Sequence, residues 1–174
     1  WIVFAVNLFG LITSYARGAW IGFLVAIPFY FFKKHKLRFL QVFGLLALIS
    51  LGALSFSSKV QDTFFNREGS NSQRLSQFYA AWEAFKDYPV LGVGFLNFEP
   101  LSSSIKKEKG IAYPEMSGHA HNNYLETMAS TGILGIIFFL GWIGLWLRET
   151  YKRDDLVARL TFPVIVAFVV SGFT

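Results

Sequence analysis

The chain has 174 residues, of which 53% are hydrophobic and 18% aromatic, with a mean hydropathy of +0.44 and a net charge of +5. A soluble domain of this length needs far less apolar surface, so composition assigns the chain to the membrane class. The charge is not a nucleic-acid footprint: Lys33, Lys34, Lys36 and Arg38 lie together between two apolar runs, while residues 57–118 balance seven basic against seven acidic side chains. The absence of cysteine excludes disulfides and thiolate metal sites. The sequence opens at Trp1 inside one apolar run and stops at Thr174 inside another, the pattern of an excerpt from a longer multi-spanning protein.

Roughly 20 apolar residues make one helical crossing of a bilayer about 30 Å thick. From Trp1 to Phe32 the only charged residue is Arg17. That run is too long for one crossing and is split at Thr13-Ser14-Tyr15, giving a first, truncated span and a second. After the basic stretch Lys33–Arg38, the uncharged run Phe39–Phe56 predicts a third span, about 27 Å long as a helix. Asn123–Leu147 predicts a fourth, a charged loop follows from Arg148 to Arg159, and Leu160 begins a fifth. The expected domains are therefore 1–56, transmembrane; 57–122, an external loop; and 123–174, transmembrane. The expected fold is all-α, a polytopic transmembrane helical bundle whose large external loop contains a short amphipathic helix.

Short basic loops stay in the cytoplasm, and both Lys33–Arg38 and Arg148–Arg159 fit that rule. The loop 57–122 is then external, and so is the Thr13–Arg17 corner, because Arg17 lies about 24 Å along a helix from Lys33. Within the loop, Ser70-Asn71-Ser72 predicts a cap for a helix beginning near Gln73. Its apolar residues Leu75, Phe78, Tyr79, Trp82 and Phe85 follow helical spacing up to Asp87-Tyr88-Pro89. Pro89, Gly92 and Gly94 predict a turn, and Ser102–Gly110, with Lys106, Lys107 and Lys109, an exposed tip with a solvated face.

The residues able to carry chemistry gather at the external side. In His119-Ala120-His121-Asn122-Asn123-Tyr124-Leu125-Glu126, Asn123 is the expected N-cap of the fourth span and Glu126 its capping-box partner. His121 then stands at a helix N-terminus, where a group that exchanges protons near neutral pH meets N–H groups that attract anions. Arg17 and Arg74 add planar, permanently charged forks suited to phosphate oxygens. Taken singly, each has a plain structural reading: Arg17 as an interfacial anchor, Arg74 as a solvated helix residue, His119 as exposed. Glu99, Glu115 and Glu126 are alternative bases that nothing in their spacing favours.

The run His121-Asn122, nine residues, Gly132, two residues, Gly135 resembles the histidine motif of the O-antigen ligase and O-antigen polymerase superfamily, which includes bacterial protein O-oligosaccharyltransferases. Ser14-Tyr15-Ala16-Arg17-Gly18-Ala19-Trp20 resembles its "SRGAW" segment, with Tyr15 and Ala16 interrupting the serine and arginine. Asn71-Ser72-Gln73-Arg74, with Trp82, Ala84 and Tyr88-Pro89-Val90-Leu91-Gly92-Val93-Gly94-Phe95, resembles its loop arginine and "PLLGVG" turn. The resemblance implies a glycosyltransferase of the bacterial cytoplasmic (inner) membrane, active on the periplasmic or extracytoplasmic face. It implies no metal and no cofactor, an undecaprenyl-diphosphate-linked glycan as donor, and an acceptor glycan, lipid A core or protein. Carried over, Arg17 and Arg74 would hold the diphosphate and His121 would assist the acceptor hydroxyl. Asn122, Glu126, Gly132 and Gly135 would support them. Whether His121 acts as a base or orients the acceptor stays open, as does the acceptor itself. The absence of an Asp-x-Asp pair, a Walker loop and a dinucleotide fingerprint agrees with a donor that arrives on its lipid. The competing reading is a non-enzymatic transporter or scaffold for a lipid-linked glycan. It predicts a dispensable His121 and charges at mid-membrane, whereas these spans have uncharged interiors.

Overall fold

The computed structural model describes residues 2–14, 16–32, 34–56 and 68–173. Seven helices lie within them, and there is no strand among the described residues: α1 (Ile2–Thr13), α2 (Arg17–Phe32), α3 (Lys36–Phe56), α4 (Glu68–Asp87), α5 (Phe98–Lys109), α6 (Asn123–Lys152) and α7 (Leu156–Ser171). The start of the expected external loop, 57–67, lies outside the described residues, as do Tyr15 and Lys33. The chain forms two compact units, one from Trp1–Asn66 with Leu145–Gly172, the other from Arg67–Gly144 with Phe173.

In the first unit the predicted break at residues 13–15 falls between α1 and α2, and α3 covers the whole of the predicted 39–56 run. α2 packs against α3 and α7. The approach to α7 is close at Gly22, where a Cβ would lie 2.9 Å from the Ala167 carbonyl. Small residues at such crossings let helix backbones approach in apolar surroundings. The charged loop is shorter than expected. α6 runs on to Lys152 and α7 starts at Leu156, so Arg148 and Arg159 lie inside the two helices and only residues 153–155 connect them. Asp155 sets that boundary as N-cap, its Oδ1 accepting from the Ala158 N–H at 2.9 Å. The two predicted basic loops lie side by side, bridged by Lys34 Nζ to Asp154 Oδ2 at 2.7 Å. Beneath them Phe29, Phe32, Phe39 and Phe162 pack, with the Phe32 and Phe162 rings stacked at 6.3 Å.

Among the described residues, α6, with 30 residues, is long and apolar enough to cross a bilayer, and Gly18–Phe32 and Leu156–Ser171 are shorter apolar helices.

The second unit departs from expectation in two places. α4 begins at Glu68, so Ser70, Asn71 and Ser72 lie within its first turns rather than capping it at Gln73. Its large apolar residues are not its packed face. Leu75, Tyr79 and Trp82 are exposed; Ser76 and Gln77 are buried, and Ala80, Ala81 and Ala84 form a core with Phe98, Ala120 and Ala129. Alanine allows backbones to come together where a leucine or tryptophan would hold them apart. The expected exposed tip 102–110 is mostly the helix α5, whose positions Phe98, Ser102 and Lys106, spaced by four, are fully buried. Gly110, at φ 65°, ends it in the left-handed conformation.

The predicted turn at Pro89–Gly94 is present and docks into α6. At Gly132 (φ 66°, ψ −162°) the α6 backbone leaves helical geometry. The Ile133 N–H donates to the Pro89 carbonyl at 2.8 Å and the Leu134 N–H to that of Val90 at 3.5 Å. In return the Val93 and Gly94 N–H groups donate to the carbonyls of Ala129 and Ser130 at 2.8 and 2.9 Å. The turn thus takes the place of the two ladder bonds, Ile133 to Ala129 and Leu134 to Ser130, that an unbroken helix would make. A Cβ on Gly132 would lie 2.6 Å from the Leu91 nitrogen, and one on Gly92 (φ 66°) 2.5 Å from the Ala129 oxygen. Glycine is required on both sides of the joint.

Candidate active site

α4 and the segment leading into α6 enclose a cleft of about 160 Å³. Arg74 enters from α4 beside Ser70 and Gln73, and His121 faces it beside Ser117 and Gly118. Two of the three expected site residues therefore share one cleft, although 46 positions separate them in the chain.

The backbone around His121 is tied on both sides. Ala120 before it is fully buried, and its N–H donates to Glu126 Oε2 at 2.7 Å. Asn122 after it accepts on Oδ1 from the N–H groups of Tyr124 and Leu125, both at 3.0 Å, while its carbonyl takes the Glu126 N–H. Asn122 is thus the N-cap of α6, in place of the expected Asn123, which becomes the exposed first helical residue. The physical cause is His121 itself. At φ 52° it is left-handed and turns the chain one residue earlier. Glu126 falls one position beyond a capping box and reaches past the cap to Ala120. Histidine tolerates the left-handed region better than most residues, yet the conformation is strained and held by its surroundings.

His121 is half-buried, and desolvation holds its imidazole below the ordinary value of 6.5. His119 and the Arg74 guanidinium push it the same way. The His119 and His121 ring centroids are 4.1 Å apart. His119, expected to be merely exposed, is exposed and also tunes its neighbour. A depressed value leaves His121 neutral at pH 7, the form able to accept a proton or a hydroxyl hydrogen bond.

Lys106 was missed by sequence reasoning. It is fully buried and donates to the Met116 carbonyl. With its amide oriented to satisfy both neighbours, Gln77 accepts from Lys106 Nζ at 3.1 Å and donates to the Gly118 carbonyl at 3.2 Å. The Ser102 hydroxyl accepts from the Gly118 N–H at 3.0 Å. This polar knot fastens residues 116–118, one wall of the cleft, to α4 and α5, and burial lowers the Lys106 pKa from 10.5. The signal available in sequence was the four-residue spacing of Phe98, Ser102 and Lys106.

Arg17 belongs to the other unit, as the first residue of α2. The corner before it is closed by the ends of the Ser14–Trp20 segment. The Ala16 N–H donates to Ser14 Oγ at 3.2 Å. Ser14 Oγ and Trp20 Nε1 both donate to the Leu11 carbonyl, at 2.8 and 2.6 Å, satisfying the end of α1. Gly132 forms the joint with the turn. Gly135 lies one helical turn beyond Thr131, whose side chain occupies the place of a Cβ there.

No solved structure matches the chain. It is 24% identical, over 143 residues, to an uncharacterized protein of Haemophilus influenzae. That match takes in 71% of this chain and 36% of the relative, so the chain spans about a third of the relative's length. The sequence pattern of the O-antigen ligase family, a family of the bacterial inner membrane, matches residues 2–140 and so contains every residue of the cleft, the joint and the Arg17 corner. The chain belongs to the O-antigen ligase family.

Proposed function

We propose that the protein transfers a glycan from an undecaprenyl-diphosphate carrier to an acceptor hydroxyl on the outer face of the bacterial cytoplasmic membrane. The observation that carries this reading is the cleft shared by Arg74 and a neutral His121 in a chain of this family. In the reaction, the acceptor oxygen forms a bond to the anomeric carbon. The bond from that carbon to the diphosphate oxygen breaks, and its electron pair leaves with the lipid diphosphate. His121 takes the acceptor proton, a role typically worth about 10² to 10⁴ in rate. Arg74 holds the diphosphate, and the family resemblance assigns Arg17 the same role. The diphosphate's charge grows as the bond breaks, so two guanidinium groups stabilise the transition state more than the bound donor. That charge is balanced without a metal ion. The α1–α3, α6 and α7 helices belong to membrane spans, with the Lys34–Asp154 end in the cytoplasm and the cleft outside.

The test uses cells carrying the full-length gene, its deletion, or the change His121→Ala at matched membrane expression, with profiles of surface and lipid-linked glycans. His121→Ala should reproduce the deletion, with the lipid-linked donor accumulating. The undelivered product then identifies the acceptor as lipid A core, another lipid-linked repeat or a protein hydroxyl. Normal glycans with His121→Ala, but not with the deletion, would refute catalysis by His121 and leave binding or transport in its place.

A further inference from the structure

We infer that the turn between α4 and α5 is a membrane wedge: its apolar side chains insert among the acyl chains of the leaflet that the N-terminal end of α6 enters. The inference rests on α6 spanning the membrane, and it goes beyond the transfer reaction.

Between Asp87 and Glu99 no residue is charged. Four of the residues there present their side chains outward: Val90, Leu91, Phe95 and Leu96, the last three 69%, 78% and 74% exposed. Contiguous apolar side chains on a soluble surface signal contact with something apolar. Part of the turn's backbone is satisfied by protein as well. Irregular backbone is tolerated at membrane depth only where its polar groups are satisfied by protein. Here the carbonyls of Pro89 and Val90 accept from Ile133 and Leu134, the N–H groups of Val93 and Gly94 donate to Ala129 and Ser130, and the Gly92 N–H closes on Tyr88. The Asn97 side chain covers the Val93 carbonyl at 3.1 Å.

Depth follows from where the turn docks. Thr127–Leu147 is the uncharged part of α6, and its 21 residues cover about 31 Å, the thickness of the hydrocarbon. The docking positions Ala129, Ser130, Ile133 and Leu134 fall within roughly the first 10 Å of it. The neighbouring α6 side chains Ile133, Leu134, Ile137 and Phe138 are exposed too, so the apolar surface of the turn continues that of the helix. Leu96 adds an independent mark. It holds a left-handed φ of 61°, a conformation costly for any residue with a Cβ, and thereby turns a leucine outward where asparagine or glycine would serve an aqueous turn. The occupant of this surface is therefore lipid, rather than a second protein or water. A wedge of this kind sits α4, and with it Arg74, at the level of a lipid head group.

The experiment places nitroxide labels, one at a time, at Leu91→Cys, Phe95→Cys, Phe138→Cys and Lys107→Cys in the full-length protein freed of any other cysteine and reconstituted in phospholipid vesicles. Collisions are measured with oxygen, which concentrates in hydrocarbon, and with a water-soluble nickel chelate. Labels at Leu91 and Phe95 should show an oxygen-to-nickel ratio several-fold above that of Lys107 on α5, approaching that of the deeper Phe138, which is 76% exposed on α6. A ratio equal to that of Lys107 places the turn in water and overturns the wedge. Exclusion of both reagents places it against protein and also overturns it. If Phe138 itself collides freely with nickel, the spanning of α6 is what has failed. A lipid-facing Phe138 beside a wet Leu91 isolates the failure to the wedge.

Discussion

Gly132→Ala tests the joint between the turn and α6. At φ 66° and ψ −162°, Gly132 occupies a region essentially reserved for glycine, where another residue costs about 1–3 kcal/mol. The new methyl group would overlap the Val90 carbonyl and sit 2.6 Å from the Leu91 nitrogen, so the turn must withdraw. Withdrawal breaks the bonds made by Ile133, Val93 and Gly94, each worth about 0.5–1.5 kcal/mol. Together these give a loss of about 2.5–7.5 kcal/mol, a large share of the 5–15 kcal/mol that ordinarily separates folded from unfolded domains. Gly141→Ala is the internal control. It lies in the same helix with nothing within 4 Å of the place its methyl group would take, and should gain about 0.5–1 kcal/mol from helix propensity. The assay is thermal unfolding of the full-length protein in detergent, with protease sensitivity of residues 88–98 as the local readout. At about 4 °C or more per kcal/mol for a unit of this size, Gly132→Ala should lower the midpoint by more than about 10 °C and open the turn to cleavage. A shift like that of Gly141→Ala would refute the interlocked joint.

Three further outcomes follow from the site. Transfer activity should fall as pH drops through the His121 pKa, below 6.5, because the protonated ring can no longer accept; His119→Ala removes one of the influences that lower that value, so its pH–activity profile should have an acid limb displaced upward toward 6.5, and an unmoved limb would show that His119 does not tune His121. Lys106→Met should destabilise the second unit by about 1–3 kcal/mol by leaving the Met116 carbonyl and Gln77 oxygen buried without a donor, read as a lower unfolding midpoint, whereas Lys107→Met on the exposed face should change nothing measurable. Asn122→Ala should cost about 1 kcal/mol as a lost cap and lower the transfer rate with it, while Asn123→Ala leaves both within error, since Asn122 makes the two capping bonds.

Periodicity and charge carried the helical layout because they depend on neighbours in sequence. The uncharged runs marked α2, α3 and α6, and the polar corner at Thr13-Ser14 marked the break between α1 and α2. The same local rules misplaced the α6 cap by one residue, since a left-handed His121 cannot be read from residue type alone. The helical spacing of α4 likewise did not say which of its faces packs against the rest of the unit. Large apolar residues suggest a core, but the core here needed alanines for close approach and left Leu75, Tyr79 and Trp82 outside.

By itself the sequence determined the all-helical class, the membrane character and the candidates His121 and Arg74, since each rests on composition, period or side-chain chemistry. Only tertiary structure decided that Gly92 and Gly132 are two halves of one joint, because their shared requirement is the space between two backbones. Only tertiary structure could bury Lys106, whose partners are carbonyl and amide oxygens supplied by the segment 116–118 and α4. The sequence names the groups that can do chemistry; the distances between segments far apart in the chain decide which of them meet.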